Sequence, residues 1–284
     1  MDTPTDSEMR SLVSLLDDED EVSVRLVRTE IMRIGEPMLP YLDEYRTSCA
    51  AGVAGLIESI KLDLRFQRLK GSFERLSASP DPDLEEGAFL VCRFGYPQIN
   101  PLVYREWLDR VAADVRKGLS SDPDAYATMQ QLNTRLFQDL GFAGNEEDYY
   151  DPDNSFLNRV IESKRGIPVT LSVLYLLIGA RLGLPVHGVG TPGHFLVGFT
   201  EPKGSTFFVD TFHRGKLMNA QDVRRMLIRS GYDFRPQFLS RVSSREVIVR
   251  MMRNLIAVYH KTGAAQRAEK LSLLADVMLR GPRK

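Results

Sequence analysis

The sequence predicts an α+β protein, mostly helical, with one buried helix set against a small antiparallel sheet of three to four strands. Three observations carry that expectation. Residues 169–182 are apolar on nearly every side and are closed by Gly183 and Pro185, the pattern of a helix buried all round. Three short β-prone runs follow, at residues 186–189, 194–199 and 206–210, separated by Gly/Pro/Thr and Glu-Pro-Lys-Gly turns. Elsewhere apolar residues recur at three- and four-residue intervals, the period of amphipathic helices.

Taken in order, residues 7–70 read as helices around an acidic break at 17–21. Gly35-Glu36-Pro37-Met38-Leu39-Pro40 after the second segment weakly resembles a HEAT-type hairpin in one copy, and an ordinary helical cap explains it equally well. Ser-Ala-Ser-Pro-Asp-Pro-Asp at 77–83 is the clearest linker. Helices are expected at 84–94, which carries Cys92, at 102–118 and at 126–140, the last stopped by Gly141. A polar, aromatic loop at 145–155 feeds a short helix at 156–163. Pro168 then suits the first turn of the buried helix, where a missing N–H costs nothing. Two helices at 245–280 flank Lys261-Thr262-Gly263; Met251, Leu255, Val258 and Tyr259 mark one face, and Ala268, Leu271, Leu274 and Val277 the other. Their spacing resembles a tetratricopeptide-like hairpin in a single copy, which must bury its face on the core or on a partner. The expected division is a helical subdomain at 1–76, a core at 84–230 and a helical hairpin at 231–284.

The 284 residues are 43% hydrophobic, enough for a full core, and the net charge of −1 excludes a strongly electrostatic attraction of the whole protein to nucleic acid or membrane. The charge is uneven: five Lys/Arg against twelve Asp/Glu in residues 1–50, and sixteen against five in residues 213–284. Solvated helix faces of opposite sign account for this, the other reading being an acidic head and a basic tail that attract one another or separate partners. The basic tail lacks interleaved aromatics, so nucleic acid is not expected as a partner. Cys49 and Cys92 show no metal spacing and fit a reducing compartment. The opening Met-Asp-Thr-Pro-Thr-Asp has no export-signal character and no run is long enough to span a bilayer, so a cytoplasmic, non-membrane protein is expected.

Within the central stretch, His194 opens one strand and Asp210 closes the next. A carboxylate there could bond a ring nitrogen and fix the imidazole tautomer, or the pair could simply close the sheet edge. The order of buried helix, His-strand and Asp-strand resembles the transglutaminase-like (papain-like) core. Gly166 takes the glycine before the nucleophile, Gly183-Leu184-Pro185 the triplet after the helix, His194-Phe195 the histidine and Val209-Asp210 the aspartate. The longer run from Gly141 to Val197, with Asn-Ser-Phe-Leu-Asn, Gly-Ile-Pro-Val-Thr-Leu-Ser and Pro-Gly-His-Phe-Leu in register, is similar to bacterial SirB-type transglutaminase-like proteins, which carry a tetratricopeptide-like tail. The resemblance spans residues 84 onward.

That resemblance implies a transglutaminase-like fold in which the nucleophile position falls on Pro168, a residue with no thiol and no acid–base group. His194 and Asp210 would then be vestigial, or would activate water. Ser172 shares the face of Pro168 about one turn (~6 Å) deeper and is expected to pack, with a rescue nucleophile as the other reading. Cys92, on an apolar face, is expected to be inert. Asn145, Tyr149, Asn154 and Asn158 form a polar cluster ahead of the helix; they could bind an amide or peptide group, or merely cap the loop. His194, Asp210 and His213 could gather a metal in principle, but no dedicated ligand spacing appears, so no metal and no cofactor are expected. The expected function is a catalytically inactive transglutaminase-like scaffold that binds a protein or peptide. The alternative is an amide-directed hydrolase or acyl transferase using water or an unusual nucleophile.

Overall fold

A computed structural model describes residues 4–200, 204 and 206–281. The chain forms two compact units, Met1–Ser72 and Phe73–Lys284. In the first unit, α1 (Asp6–Ser14) starts at a capping box in which Thr5 and Glu8 satisfy each other's backbone N–H groups. Helix α2 (Glu21–Ile34) is capped by Asp20, which accepts from Val22 and Ser23 N–H. Helix α3 (Leu39–Arg46) and the start of α4 (Ala51–Ser77) complete the unit. Its core is one cluster, with Val13, Ile31, Met38, Leu42, Ile57 and Ile60 at its centre.

The second unit opens with α5 (Leu84–Gly95) and α6 (Pro101–Lys117), each with an Asp or Asn cap. Helix α7 (Ala125–Asn133) does not run on to residue 140 as its periodicity suggests. The chain widens into a π-helical turn over Thr134–Asp139, where Leu140 N–H reaches back to Arg135 O. A two-residue strand β1 (Ala143–Gly144) pairs in parallel with β2 (Arg165–Gly166), with α8 (Leu157–Ser163) between them in sequence. Helix α9 (Pro168–Arg181) is buried at every position from Pro168 to Gly179, as its all-round apolar sequence requires.

Strands β3 (Val186–Thr191), β4 (His194–Thr200), β5 (Thr206–Asp210) and β6 (Lys216–Met218) follow, then α10 (Ala220–Arg229), β7 (Arg241–Val242), α11 (Ser244–Lys261) and α12 (Ala265–Arg280). The sheet is antiparallel and five-stranded, in the order β6-β5-β4-β3-β7. It exceeds the expected three to four strands because β6 and β7 are only three and two residues long, too short to show an alternation in sequence. Pro192-Gly193 links β3 to β4, with Gly193 at φ 69°, a Pro-then-left-handed-Gly sequence that suits a tight turn. One face of the sheet, carrying Val189, Leu196, Phe208 and Met218, packs on Val223 and Leu227 of α10. The architecture is thus α+β and mostly helical, built around a buried helix and a small antiparallel sheet. No helix among the described residues is long and apolar enough to cross a membrane.

Candidate active-site cleft

The start of α9 is held by backbone bonds from the preceding loop. Ile167, its N-cap, is extended and donates its N–H to Asn154 O at 3.3 Å; Asn145 N–H donates to Gly166 O at 3.1 Å. Pro168 occupies N1, where proline's fixed φ favours the helix and its missing N–H is no loss. Side chains reinforce the arrangement. Asn145 Nδ2 donates to Asn154 Oδ1 at 3.0 Å, and Asn154 Nδ2 donates to Asp148 O at 2.6 Å. The buried Asn154 amide thus fastens the 145–149 loop, and it does not cap α8, whose N-cap is Phe156 with no side-chain bond.

The four residues of the polar cluster do not converge on one point. Tyr149 sets its ring edge-on to Phe212, 6.1 Å between centroids, and burial raises its phenol pKa. Asn158 is buried against the Tyr104 hydroxyl, and its Oδ1 has no hydrogen-bond partner. Ser172 is fully buried, its hydroxyl engaged with that of Thr211 at 2.9 Å. Burial pushes the Cys92 thiol up to about 12, so at neutral pH it stays protonated and unreactive.

β4 and β5 bring the two ends named from the sequence together. His194 Nε2 lies 2.9 Å from Asp210 Oδ1. Asp210 carries a second imidazole as well: His213 Nδ1 lies 2.8 Å from Oδ2, and His213 N–H donates to Oδ1 at 3.2 Å. Asp210 is 2% exposed, whereas the side chains of His194 and His213 are 13% and 52% exposed. Burial pushes the Asp210 carboxyl up, but its bonds to His194 and His213 outweigh that and hold it below the ordinary carboxylate value. Phe212 is edge-on to both imidazoles, at 6.1 and 5.3 Å. Arg250 of α11 donates to Thr191 O and His194 O at 3.3 and 3.4 Å, clamping the hairpin that presents His194.

A cleft of about 500 Å³ opens beside this group, lined by residues of the 143–147 loop, Arg165, Phe212, His213 and Arg214. One of its members escapes a sequence reading, and another enters it only in part. His213 is grouped with His194 and Asp210 there only as a possible metal trio without dedicated spacing, and the Asp-x-x-His spacing ahead of Gly215 hints that the turn folds back on Asp210. Phe212 reads as core, yet it orients both imidazoles.

A family model described as the transglutaminase-like superfamily matches residues 103–253, a stretch that contains α9 and both strands of the His194–Asp210 pair. The chain belongs to the transglutaminase-like superfamily. Among its relatives, this transglutaminase-like chain is 34% identical to a UPF0162 protein of Xylella fastidiosa over 189 residues, 64% of this chain and 67% of that one. A UPF0162 protein of Vibrio cholerae is 27% identical over 179 residues, 60% of this chain and 64% of its own. F-box only protein 21 of Mus musculus is 28% identical over 158 residues, 53% of this chain but 25% of that protein. No solved structure gives a significant match.

Proposed function

We propose that this transglutaminase-like chain does not perform thiol-dependent acyl transfer and instead uses the cleft to bind a segment of a protein or peptide. The observation that carries the reading is the occupant of the helix start. Acyl transfer in this fold needs a thiolate at the N-terminus of the buried helix, where the dipole and an imidazolium stabilise it. Here α9 begins with Pro168, which offers no atom to carry an acyl group. No other hydroxyl or thiol stands in for it: Ser172 is engaged with Thr211, Thr170 is fully buried, and Cys92, far away in sequence, is buried with its pKa near 12. His194 and Asp210, just behind the cleft, then hold His213 and Phe212 of its wall, which meet the bound chain. The Asn145–Asn154 pair and Tyr149 hold the opposite loop in shape. The closer kinship to SirB-type proteins, the three-part division and the tetratricopeptide-like reading of α11 and α12 belong to the same proposal. So does a cytoplasmic setting.

The test treats the purified protein with thiol- and serine-directed electrophiles and amide substrates, comparing wild type with His194→Ala. In parallel, peptides selected from a displayed library on the wild type are titrated against Arg165→Glu, on the cleft wall. The expected result is no His194-dependent labelling or turnover, and a loss of peptide affinity of about tenfold or more in the cleft variant. Turnover that vanishes in His194→Ala would overturn the reading in favour of a hydrolase that activates water.

A further inference from the structure

A dyad that orients one imidazole needs one histidine on the carboxylate. Asp210 has two. His194 approaches Oδ1 through Nε2 and His213 approaches Oδ2 through Nδ1, and the three donor atoms lie within 4.8 Å of one another. Among the described residues the ion partners of Asp210 are these two histidines alone. No Lys or Arg among them offsets the buried negative charge. Two imidazoles and one carboxylate, converging from a strand start, a strand end and a turn, form the donor set of a borderline divalent ion.

We propose that His194, Asp210 and His213 bind a zinc-type divalent transition ion, through Nε2 of His194, Nδ1 of His213 and a carboxylate oxygen of Asp210. The nitrogen content selects against magnesium and calcium, which take oxygen ligands. Bonds of about 2.0–2.2 Å in a tetrahedral site put ligand atoms roughly 3.3 Å apart. The two imidazole–carboxylate contacts, at 2.9 and 2.8 Å, therefore need to open by about half an ångström, while the two imidazole nitrogens, within 4.8 Å of one another, adjust to the same spacing. His213 can provide that movement, because it sits half-exposed on a turn and not in the sheet. The turn itself is unusual. Gly215 N–H closes onto Asp210 O at 2.9 Å, and Arg214, a non-glycine residue, is held at φ 56° before Gly215 at φ 73°. A left-handed conformation in a residue with a Cβ persists only where its surroundings enforce it, and here it aims His213 back at Asp210. Phe212, edge-on to both rings, fixes their orientation before any ion arrives. On binding, the proton that each ring donates to Asp210, from Nε2 of His194 and Nδ1 of His213, gives way to the metal, and by exchange with solvent each imidazole carries its single proton on the other nitrogen, Nδ1 of His194 and Nε2 of His213. The remaining coordination position faces the cleft that Glu146, Glu147 and Arg214 line, and water or a carboxylate of a bound segment would take it.

The site stands apart from the peptide-binding reading, since it is judged by the metal alone. Full-length protein stripped with EDTA is dialysed against zinc chloride, and the visible spectrum is recorded with cobalt(II) chloride. His213→Ala, Asp210→Asn and, as a control outside the trio, His187→Ala are treated alike, with circular dichroism to check folding. The expected result is one zinc per chain, weakened at least about tenfold by His213→Ala and by Asp210→Asn and unchanged by His187→Ala, with the cobalt bands altered in His213→Ala. No zinc retained at micromolar free metal, or retention equal in wild type and His213→Ala, overturns the proposal. If Asp210→Asn fails to fold, His213→Ala decides alone, because its side chain lies outside the core.

Discussion

The hydroxyls of Ser172 and Thr211 meet at 2.9 Å, both fully buried, and so fasten the buried helix α9 to the residue that follows Asp210. The contact gives Ser172 a structural task at the place where the fold would tolerate a reserve nucleophile. Ser172→Ala leaves the Thr211 hydroxyl buried without its partner and is expected to cost about 1–3 kcal/mol. The double variant with Thr211→Val removes both polar groups and recovers most of that loss. Urea denaturation of the three proteins measures it; equal midpoints for wild type and Ser172→Ala would contradict the assignment.

The two cysteines differ in reactivity for a physical reason. Burial holds Cys92 at about 12, so below that pH it remains a thiol, whereas Cys49 is partly exposed. Maleimide labelling of the native protein at pH 8 should therefore modify Cys49 and spare Cys92, and denaturant should expose both. Mass spectrometry of the labelled peptides reads the outcome, and rapid native labelling of Cys92 would make it a candidate nucleophile after all.

Gly144 stands directly against the ring of Phe212, in the space a Cβ would need, and donates its N–H to Phe212 O at 2.9 Å. Gly144→Ala is expected to displace that ring and cost about 1–3 kcal/mol by overpacking. Because Phe212 orients both imidazoles, the substitution should also shift the ring resonances of His194 and His213 in NMR spectra. Unshifted resonances would mean that the turn moves independently of the β1 loop.

His187 supplies a pH dependence. Burial first, and then the charge of Arg241, lowers its pKa below the ordinary value of 6.5. The unfolded chain then takes up the proton at a higher pH than the folded one, so stability falls as pH drops from about 6.5 through the lower folded value. The ring lies over Gly198, its partner in the β3–β4 register, and His187→Phe keeps a ring there without a titrating group. The loss of urea midpoint between pH 7.5 and pH 5 should be smaller in His187→Phe than in wild type. An equal loss in both would assign the acid sensitivity to another group.

By itself, the sequence determined the parts whose cause is local. The all-round apolar run from Pro168 predicts a helix that must be buried, and Pro192-Gly193 predicts the turn that starts β4 at His194. The strand ends at His194 and Asp210 follow from the same punctuation. Tertiary structure decided what depends on partners distant in the chain. β6 and β7 exist because β5 and β3 offer them edges, not because their two or three residues prefer the extended state. Asn145 and Asn154 pair while Asn158, four residues further on, faces Tyr104, because α8 turns its side chains to different neighbours. Most of all, the sequence could name His213 beside His194 and Asp210 but not join them: the second imidazole reaches Asp210 through a left-handed turn at Arg214 and Gly215, and a backbone held in that conformation by its surroundings leaves no periodicity to read.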